Sequence, residues 1–196
     1  MSLFISSVFT YDEDAGNYIQ AVEAADAQAL EPATRKAINN FVIGCKQDGI
    51  WTAIKASCIL SGARTLAGAL VPLVGTAPTP FGFIGIGTDY VRKTGLVGNG
   101  STKYLDSNRN NNADPQNSKH VSVYINTVGI LGFMGSGAGG TAGITQLYSG
   151  GSSYLARNNQ TSIATSIGAS VTGLFGTSRN SGTSYAARLG GVQTTV

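Results

Sequence analysis

The chain has 196 residues, of which 42% are hydrophobic and only 12% are charged, and it contains 27 glycines. Globular domains usually carry about 25% charged residues, so the solvent-facing surface must be built largely from Ser, Thr, Asn and Gly. This composition excludes an intrinsically disordered chain, and the length allows one ordinary domain or two small ones.

Charged residues are distributed unevenly along the chain. Six of the ten acids precede Arg35, the first basic residue, whereas residues 115–196 contain no Asp or Glu. The thirteen bases are scattered singly or in pairs and form no patch of the kind that neutralises phosphates. We therefore expect no binding to nucleic acid.

Apolar runs are too short for a membrane span. A transmembrane helix needs roughly 20 apolar residues, whereas the runs at 3–9 and 66–74 are shorter and are interrupted by polar residues or by Pro72. We expect neither membrane insertion nor a targeting segment, and hence synthesis in a cytoplasm.

The first helix is predicted over about 15–29. Asp12 and Asp14 are N-cap candidates, and their negative charge suits a helix N-terminus. The apolar residues that follow share one helical face: Tyr18, Ile19, Val22 and Ala25.

A second helix is predicted between Pro32 and Gly49. Proline is tolerated in a first turn, and glycine commonly ends a helix. The spacing i, i+3, i+4, i+7 defines its apolar stripe: Ile38, Phe41, Val42 and Cys45.

A third short helix, ending near Gly62, is predicted from the four-residue spacing of Ile50, Ile54 and Cys58. Cys45 and Cys58 then lie in neighbouring helices as buried, reduced thiols, with a disulfide as the alternative.

Residues 63–87 are rich in Gly, Pro and aliphatic side chains, which predicts an extended apolar connector that packs against a surface. After Thr88 the apolar period changes to two, with Gly, Asn and Ser clusters between short runs. The predicted fold class is α+β, with a helical segment at 1–62, the connector at 63–87 and an antiparallel β-sandwich at 88–196.

Five stretches carry a resemblance to a known family. They are 21–26, 30–41 (LEPATRKAINNF), 45–55 (CKQDGIWTAIK), 94–106 (TGLVGNGSTKYLD) and 110–117 (NNNADPQN). The chain resembles bacteriophage virion proteins that join a helical segment to a concanavalin A-like, or laminin-G-like, jelly roll. The resemblance implies a non-enzymatic structural role in a tail, fibre or head decoration, with localisation in the virion. Such jelly rolls have more strands than fit after Thr88, so either the sandwich is short or another chain completes it.

The resemblance also implies an alternative function as an adhesin that binds a host-surface glycan. Sugars are held by aromatic faces and by amide and hydroxyl hydrogen bonds. The candidate glycan-binding residues are Tyr104, Tyr124, Tyr148, Tyr154, Asn158 and Asn159.

An enzyme is not expected. A glycosidase needs two facing carboxylates, and the predicted sandwich offers only three aspartates, two of them in one Asn-rich loop. No cofactor is predicted apart from a weak calcium site in that loop, where oxygen-bearing side chains alternate as in a calcium-binding loop. Its candidate ligands are Asp106, Asn108, Asn110 and Asp114.

The expected partners are other virion proteins and further copies of this chain. A Thr- and Val-rich strand near residue 196 predicts an exposed sheet edge that recruits another strand. The segment Met1–Asp14 is predicted as a second docking arm whose acids favour a basic neighbour.

Overall fold

A computed structural model describes residues 10–85, 87–136, 143–161 and 164–196. The chain is α+β and divides into two compact units. Unit 1 comprises Met1–Gly98 with Thr102–Asn108, and unit 2 comprises Asn99–Ser101 with Arg109–Val196. The predicted segments 1–62, 63–87 and 88–196 divide the chain at other positions. Most of the predicted docking arm, residues 1–9, lies outside the described residues.

Two long helices open unit 1, as predicted. Helix α1 spans Glu13–Asp26 and helix α2 spans Pro32–Gln47. The predicted N-cap is confirmed, because the Asp12 carboxylate accepts a hydrogen bond from the backbone N–H of Asp14 at 3.1 Å.

The buried faces of α1 and α2 differ from the predicted stripes at two positions. Ala25 is exposed and Asp26 is buried instead. Phe41 is 49% exposed, whereas Asn39 is buried and accepts a hydrogen bond from the Asp12 backbone N–H at 2.7 Å. Apolar spacing missed both polar residues because each is buried through a specific hydrogen-bond partner.

The Asp26 carboxylate joins the end of α1 to a short helix, α3, at Leu66–Ala69. It accepts hydrogen bonds from the backbone N–H groups of Arg64 (2.6 Å) and Thr65 (2.8 Å), and from the Thr65 hydroxyl (2.6 Å). A Cβ at Gly68 would lie 2.1 Å from Asp26 Oδ1, so only glycine allows this close approach.

The predicted third helix is wrong. One 3₁₀ turn at Trp51–Ala53 is followed by strand β1 (Ser57–Cys58), which pairs with β2 (Pro72–Val74). Three residues at four-residue spacing do not outweigh pairing with a tertiary partner. Within the predicted extended connector at 63–87, strand β2 is extended, whereas α3 is helical. Cys45 and Cys58 are free thiols, and Cys58 lies on β1 rather than on a helix.

The described residues of unit 1 form four further strands: β3 (Thr79–Phe81), β4 (Tyr90–Val91), β5 (Gly95–Leu96) and β6 (Tyr104–Asp106). Strand β3 pairs with β6, and β4 pairs with β5, both antiparallel. The unit's core lies between the inward faces of α1 and α2 and includes Tyr90, whose hydroxyl donates to the Ala63 carbonyl at 2.7 Å.

Unit 2 consists mainly of eight antiparallel strands in two four-stranded sheets. In chain order they are β7 (Lys119–Ile125), β8 (Leu131–Ser136), β9 (Ile144–Ser149), β10 (Ser153–Gln160), β11 (Thr165–Ala169), β12 (Gly173–Arg179), β13 (Ala186–Leu189) and β14 (Val192–Thr195).

The sheet orders are β11-β10-β9-β8 and β14-β13-β12-β7. Strands consecutive in the chain are neighbours in each sheet, except that β7 pairs with β12. This order does not establish the predicted jelly roll, since a jelly roll is built from two Greek keys.

Side chains from both sheets share one hydrophobic cluster in unit 2. Tyr154 of β10 stacks on Phe175 of β12 with ring centroids 5.0 Å apart, and Phe133 of β8 meets the Tyr154 ring edge-on at 5.3 Å. The Tyr185 hydroxyl donates to the Ala156 carbonyl at 2.7 Å, which adds a buried hydrogen bond to this core.

Among the described helices, none combines the length and apolar character that a membrane crossing requires.

Replacing Asp26 with Ala is expected to lower the free energy of unfolding by about 3 kcal/mol, because three donors lose a buried acceptor. Trp51, the only tryptophan, packs against the core of unit 1, so its fluorescence during urea unfolding measures the change. Asp48→Ala, at an exposed acid, should leave the unfolding free energy within about 0.5 kcal/mol of wild type. Equal effects of the two substitutions would contradict the role of Asp26.

Candidate functional site

The six predicted glycan-binding residues are divided between the two units and differ in exposure. Tyr104 belongs to unit 1, and the other five belong to unit 2. Within unit 2, Tyr124 is 67% exposed and Tyr148 is half-buried, whereas the remaining three are buried: Tyr154, Asn158 and Asn159.

Tyr154 and Asn158 are core residues of unit 2. The Tyr154 ring is covered by Phe175 and Phe133. The Asn158 amide donates to the Thr177 hydroxyl at 3.0 Å and to the Lys119 carbonyl at 3.3 Å. Both side chains therefore hold the sheets in place and present no face to a sugar.

The predicted calcium ligands are divided between the units and are engaged in protein contacts. In unit 1, Asp106 Oδ1 accepts from the backbone N–H of Asn108 at 2.8 Å. In unit 2, the Asp114 carboxylate is paired with the Arg109 guanidinium, and Asn110 precedes the 3₁₀ turn Asn111–Ala113. Across the described residues, no three His, Cys, Asp or Glu side chains are grouped so as to hold a metal ion.

One face of the β3–β6 pair gathers aromatic and polar side chains. Thr79 pairs with Asp106, and Phe81 pairs with Tyr104. Because side chains alternate along a strand, these four residues share one face, which we call the aromatic ribbon. The two rings stack with centroids 4.6 Å apart and planes 11° from parallel. Phe81 is 41% exposed and Tyr104 is 55% exposed, so solvent reaches both rings.

Local contacts fix the ends of the ribbon. Asn108 adopts a positive φ of 54° and donates its amide to the Ala77 carbonyl and to the Thr79 hydroxyl, each at 3.0 Å. Gly82 follows Phe81 with φ at 72°, and a Cβ there would lie 2.6 Å from the Thr102 carbonyl oxygen. Glycine is thus required where β3 ends beside the start of β6.

A buried carboxylate, that of Asp89, anchors both strands of the ribbon. It forms an ion pair with Lys103, directly before β6, and accepts hydrogen bonds from the backbone N–H groups of Ile84 and Gly85, just after β3. The Lys103 ammonium and these backbone donors lower the pKa of Asp89 from 3.8 to about 2.

Unit 2 contains a polar cavity of about 740 Å³. Its lining is rich in amides and hydroxyls, and its one carboxylate, Asp114, is paired with Arg109. The described lining residues are Asn112, Asp114, Pro115, Gln116, Gly143, Asn159, Gln160, Thr161, Arg179 and Gly182. The amides, hydroxyl and guanidinium of this lining suit water or a polar ligand.

Arg179 forms the wall of this cavity by binding backbone carbonyls. The pairing of β10 with β9 shifts register between Arg157 and Gln160, which leaves backbone groups outside the ladder. Arg179 Nη1 donates to the carbonyls of Asn158 (2.8 Å) and Asn159 (3.0 Å) within this bulge. Nη2 and Nε donate to the carbonyls of Gly182 (2.7 Å) and Ser181 (2.8 Å).

Lys119 is a second buried cation near the cavity, and neutral oxygens solvate it. Its ammonium donates to the backbone carbonyl of Asn111 at 2.7 Å and also to the Asn111 side-chain oxygen. Burial lowers the pKa of Lys119. Asn111 in turn donates to the Gly143 carbonyl at 3.1 Å, which fixes one side of the cavity.

Sequence reasoning missed Phe81 and Arg179 for different reasons. Phe81 was assigned to the extended apolar connector at 63–87, and nothing in that segment predicts the pairing of residues 79–81 with β6. Arg179 was readable from alternation, because it lies two and four residues after Thr177 and Phe175 and thus faces the core. Residues 115–196 offer no carboxylate to pair with a cation on this core-facing position. Backbone carbonyls are then the expected hydrogen-bond partners of Arg179.

No protein-family model, curated protein or solved structure matches this chain.

Arg179→Lys is expected to lower the free energy of unfolding by about 3 kcal/mol, because an ammonium cannot reproduce the four-carbonyl fork. Urea unfolding followed by circular dichroism measures this change. Arg188→Lys is the matched control, since Arg188 is exposed and bonds only the Gln193 side chain among the described residues. An equally large decrease in the free energy of unfolding of Arg188→Lys would show that the four carbonyl contacts of Arg179 have no special role.

Asp89 is expected to make stability pH-dependent in the acid range. Because its pKa is lowered on folding, its stabilising effect is complete above pH 3.8 and is lost as the pH falls through about 2. The Tm of Asp89→Asn should lie below that of wild type near neutral pH, and the difference should shrink across this window. A Tm difference that is constant with pH would contradict the assignment.

Proposed function

We propose that this protein is a non-enzymatic structural component of a bacteriophage virion, in a tail, fibre or head decoration, held by protein–protein contacts. Its place is then the virion, after synthesis in the host cytoplasm. The concanavalin A-like jelly roll that accompanies this resemblance stays a prediction.

The observation that carries the proposal is an exposed apolar pair on the outer face of the β14-β13-β12-β7 sheet. Tyr124 (67% exposed) and Leu174 (49% exposed) are cross-strand partners there. Burying such side chains against a neighbour is favourable, by about 25 cal/mol per Å² of apolar surface. Unit 2 has few charged residues, so charge repulsion does little to oppose its association with other proteins.

The edge strand β14 supports the same proposal. Tyr185 and Val196 exchange two backbone hydrogen bonds, at 2.9 and 2.8 Å. In an antiparallel ladder the bonded pairs alternate, so Gln193 and Thr195 direct their backbone groups away from β13. These groups suit an added strand from a second copy or from another virion protein.

The predicted docking arm receives less support. Two of its three described acids, Asp12 and Asp14, pair with Lys46 of the same unit, at 2.7 and 2.6 Å. They are therefore engaged within unit 1 rather than held ready for a basic neighbour.

Particle composition tests the proposal. Mass spectrometry of purified virions should detect the chain at a constant copy number per particle, and light scattering at micromolar concentration should show association. A chain that is absent from particles and monomeric in solution would refute the structural role.

Thr195→Pro is expected to reduce association and incorporation into particles, because proline removes an outward N–H from the edge of β14. Thr195→Val keeps that N–H and is the matched control. Light scattering and particle occupancy, measured for both variants, decide the point. Normal occupancy of the proline variant would exclude this edge as an assembly contact.

Glycan binding by a virion adhesin is the second candidate, and the aromatic ribbon favours it. There the structure places Tyr104 next to polar side chains on one exposed face.

A further inference from the structure

The aromatic ribbon combines two kinds of group that contact sugars. The stacked pair leaves Tyr104 55% exposed. Asp106 lies two residues further along β6, on the same face and about 6.6 Å away along the strand. This separation is comparable with the width of one pyranose ring.

The Asp106 carboxylate has hydrogen-bonding capacity to spare. Within the described part of the chain its only hydrogen bond is the one that Oδ1 accepts from the Asn108 backbone N–H. Ionised, it has about four lone-pair sites and only accepts. Two vicinal sugar hydroxyls are donors that match it, and hydrogen bonds to a charged acceptor are the stronger kind.

The other side chains of the ribbon are held in place by contacts within the unit. Phe81 supports the Tyr104 ring by stacking, and Asn108 holds the Thr79 hydroxyl at 3.0 Å. Asp89 fixes both strands through Lys103 and the backbone of Ile84 and Gly85. A ligand therefore meets ordered groups, which reduces the entropy lost on binding.

We propose that the aromatic ribbon is a subsite for a neutral hexopyranose, whose C–H face stacks on Tyr104 while two adjacent hydroxyls donate to Asp106. This assignment deepens the adhesin candidate and rests on it. The carboxylate also sets selectivity, since it repels a sugar that carries its own carboxylate. Tyr124, which is 67% exposed and belongs to unit 2, has Leu174 as its cross-strand partner rather than a second ring.

Saturation-transfer NMR with methyl β-D-glucopyranoside and methyl β-D-galactopyranoside tests the proposal on the full chain. At least one of these probes should bind, with a Kd of about 1 mM for a single ring and two hydrogen bonds. Tyr104→Ala should weaken binding about tenfold, whereas Tyr104→Phe, which keeps the ring face, should bind within about twofold of wild type. Tyr124→Ala is the matched control and should leave binding unchanged.

Selectivity provides a readout that a merely structural role would not change. Wild type should bind methyl β-D-glucuronide more weakly than the glucoside. Asp106→Asn preserves an acceptor for the Asn108 N–H, and it should weaken glucoside binding about tenfold and abolish discrimination against the glucuronide.

The proposal is overturned if neither neutral probe binds, if Tyr124→Ala weakens binding as much as Tyr104→Ala, or if discrimination survives in Asp106→Asn. None of these results touches the structural role, which depends on particle occupancy. Conversely, a chain that binds the sugar but is absent from virions would retain the subsite and refute the virion assignment.

Discussion

Buried charged groups that are satisfied by backbone atoms hold each unit in its fold. In unit 1, the Asp26 carboxylate gathers two backbone N–H groups and thereby joins α1 to α3. In unit 2, the Arg179 guanidinium gathers four backbone carbonyls and thereby joins the β10 bulge to the loop after β12. A buried charge without such partners would cost several kcal/mol, so the surrounding chain is constrained to supply them.

The same constraint separates residues that build the fold from residues that meet other molecules. Tyr154 and Asn158 are buried in the interior of unit 2 and are therefore unavailable to a ligand. Tyr104 and Asp106 lie on an exposed face, and the buried Asp89 anchors their strand through its ion pair with Lys103. Asp89 holds the strands of the ribbon in place, whereas Tyr104 and Asp106 are the side chains that a ligand would contact. The ribbon is therefore ordered and its binding groups are still accessible. The exposed pair Tyr124 and Leu174 on the outer face of the β14-β13-β12-β7 sheet suits a protein neighbour, because both side chains are apolar over most of their surface.

Capping residues and hydrophobic periodicity were sufficient to predict those helices and strands that depend mainly on their own residues. Helices α1 and α2 were predicted because Asp12 caps the first and Pro32 opens the second, and short strands after Thr88 because the apolar period there changes to two. The third predicted helix failed because the spacing of Ile50, Ile54 and Cys58 was as compatible with a turn followed by a strand. Pairing of β1 with β2, a contact some fifteen residues away in sequence, settled the outcome.

The sequence by itself determined the α+β class, the two long helices, the shortage of charge in unit 2 and the Gly-punctuated strands, since capping, periodicity and composition are local properties. Only the tertiary structure decided which polar residues are buried and which aromatic residues meet. Asp26 became a core acceptor because Thr65 lies against it, and Tyr104 gained Phe81 as its stacking partner because β3 pairs with β6. Such partners are distant along the chain, and the residues adjacent in sequence do not predict them.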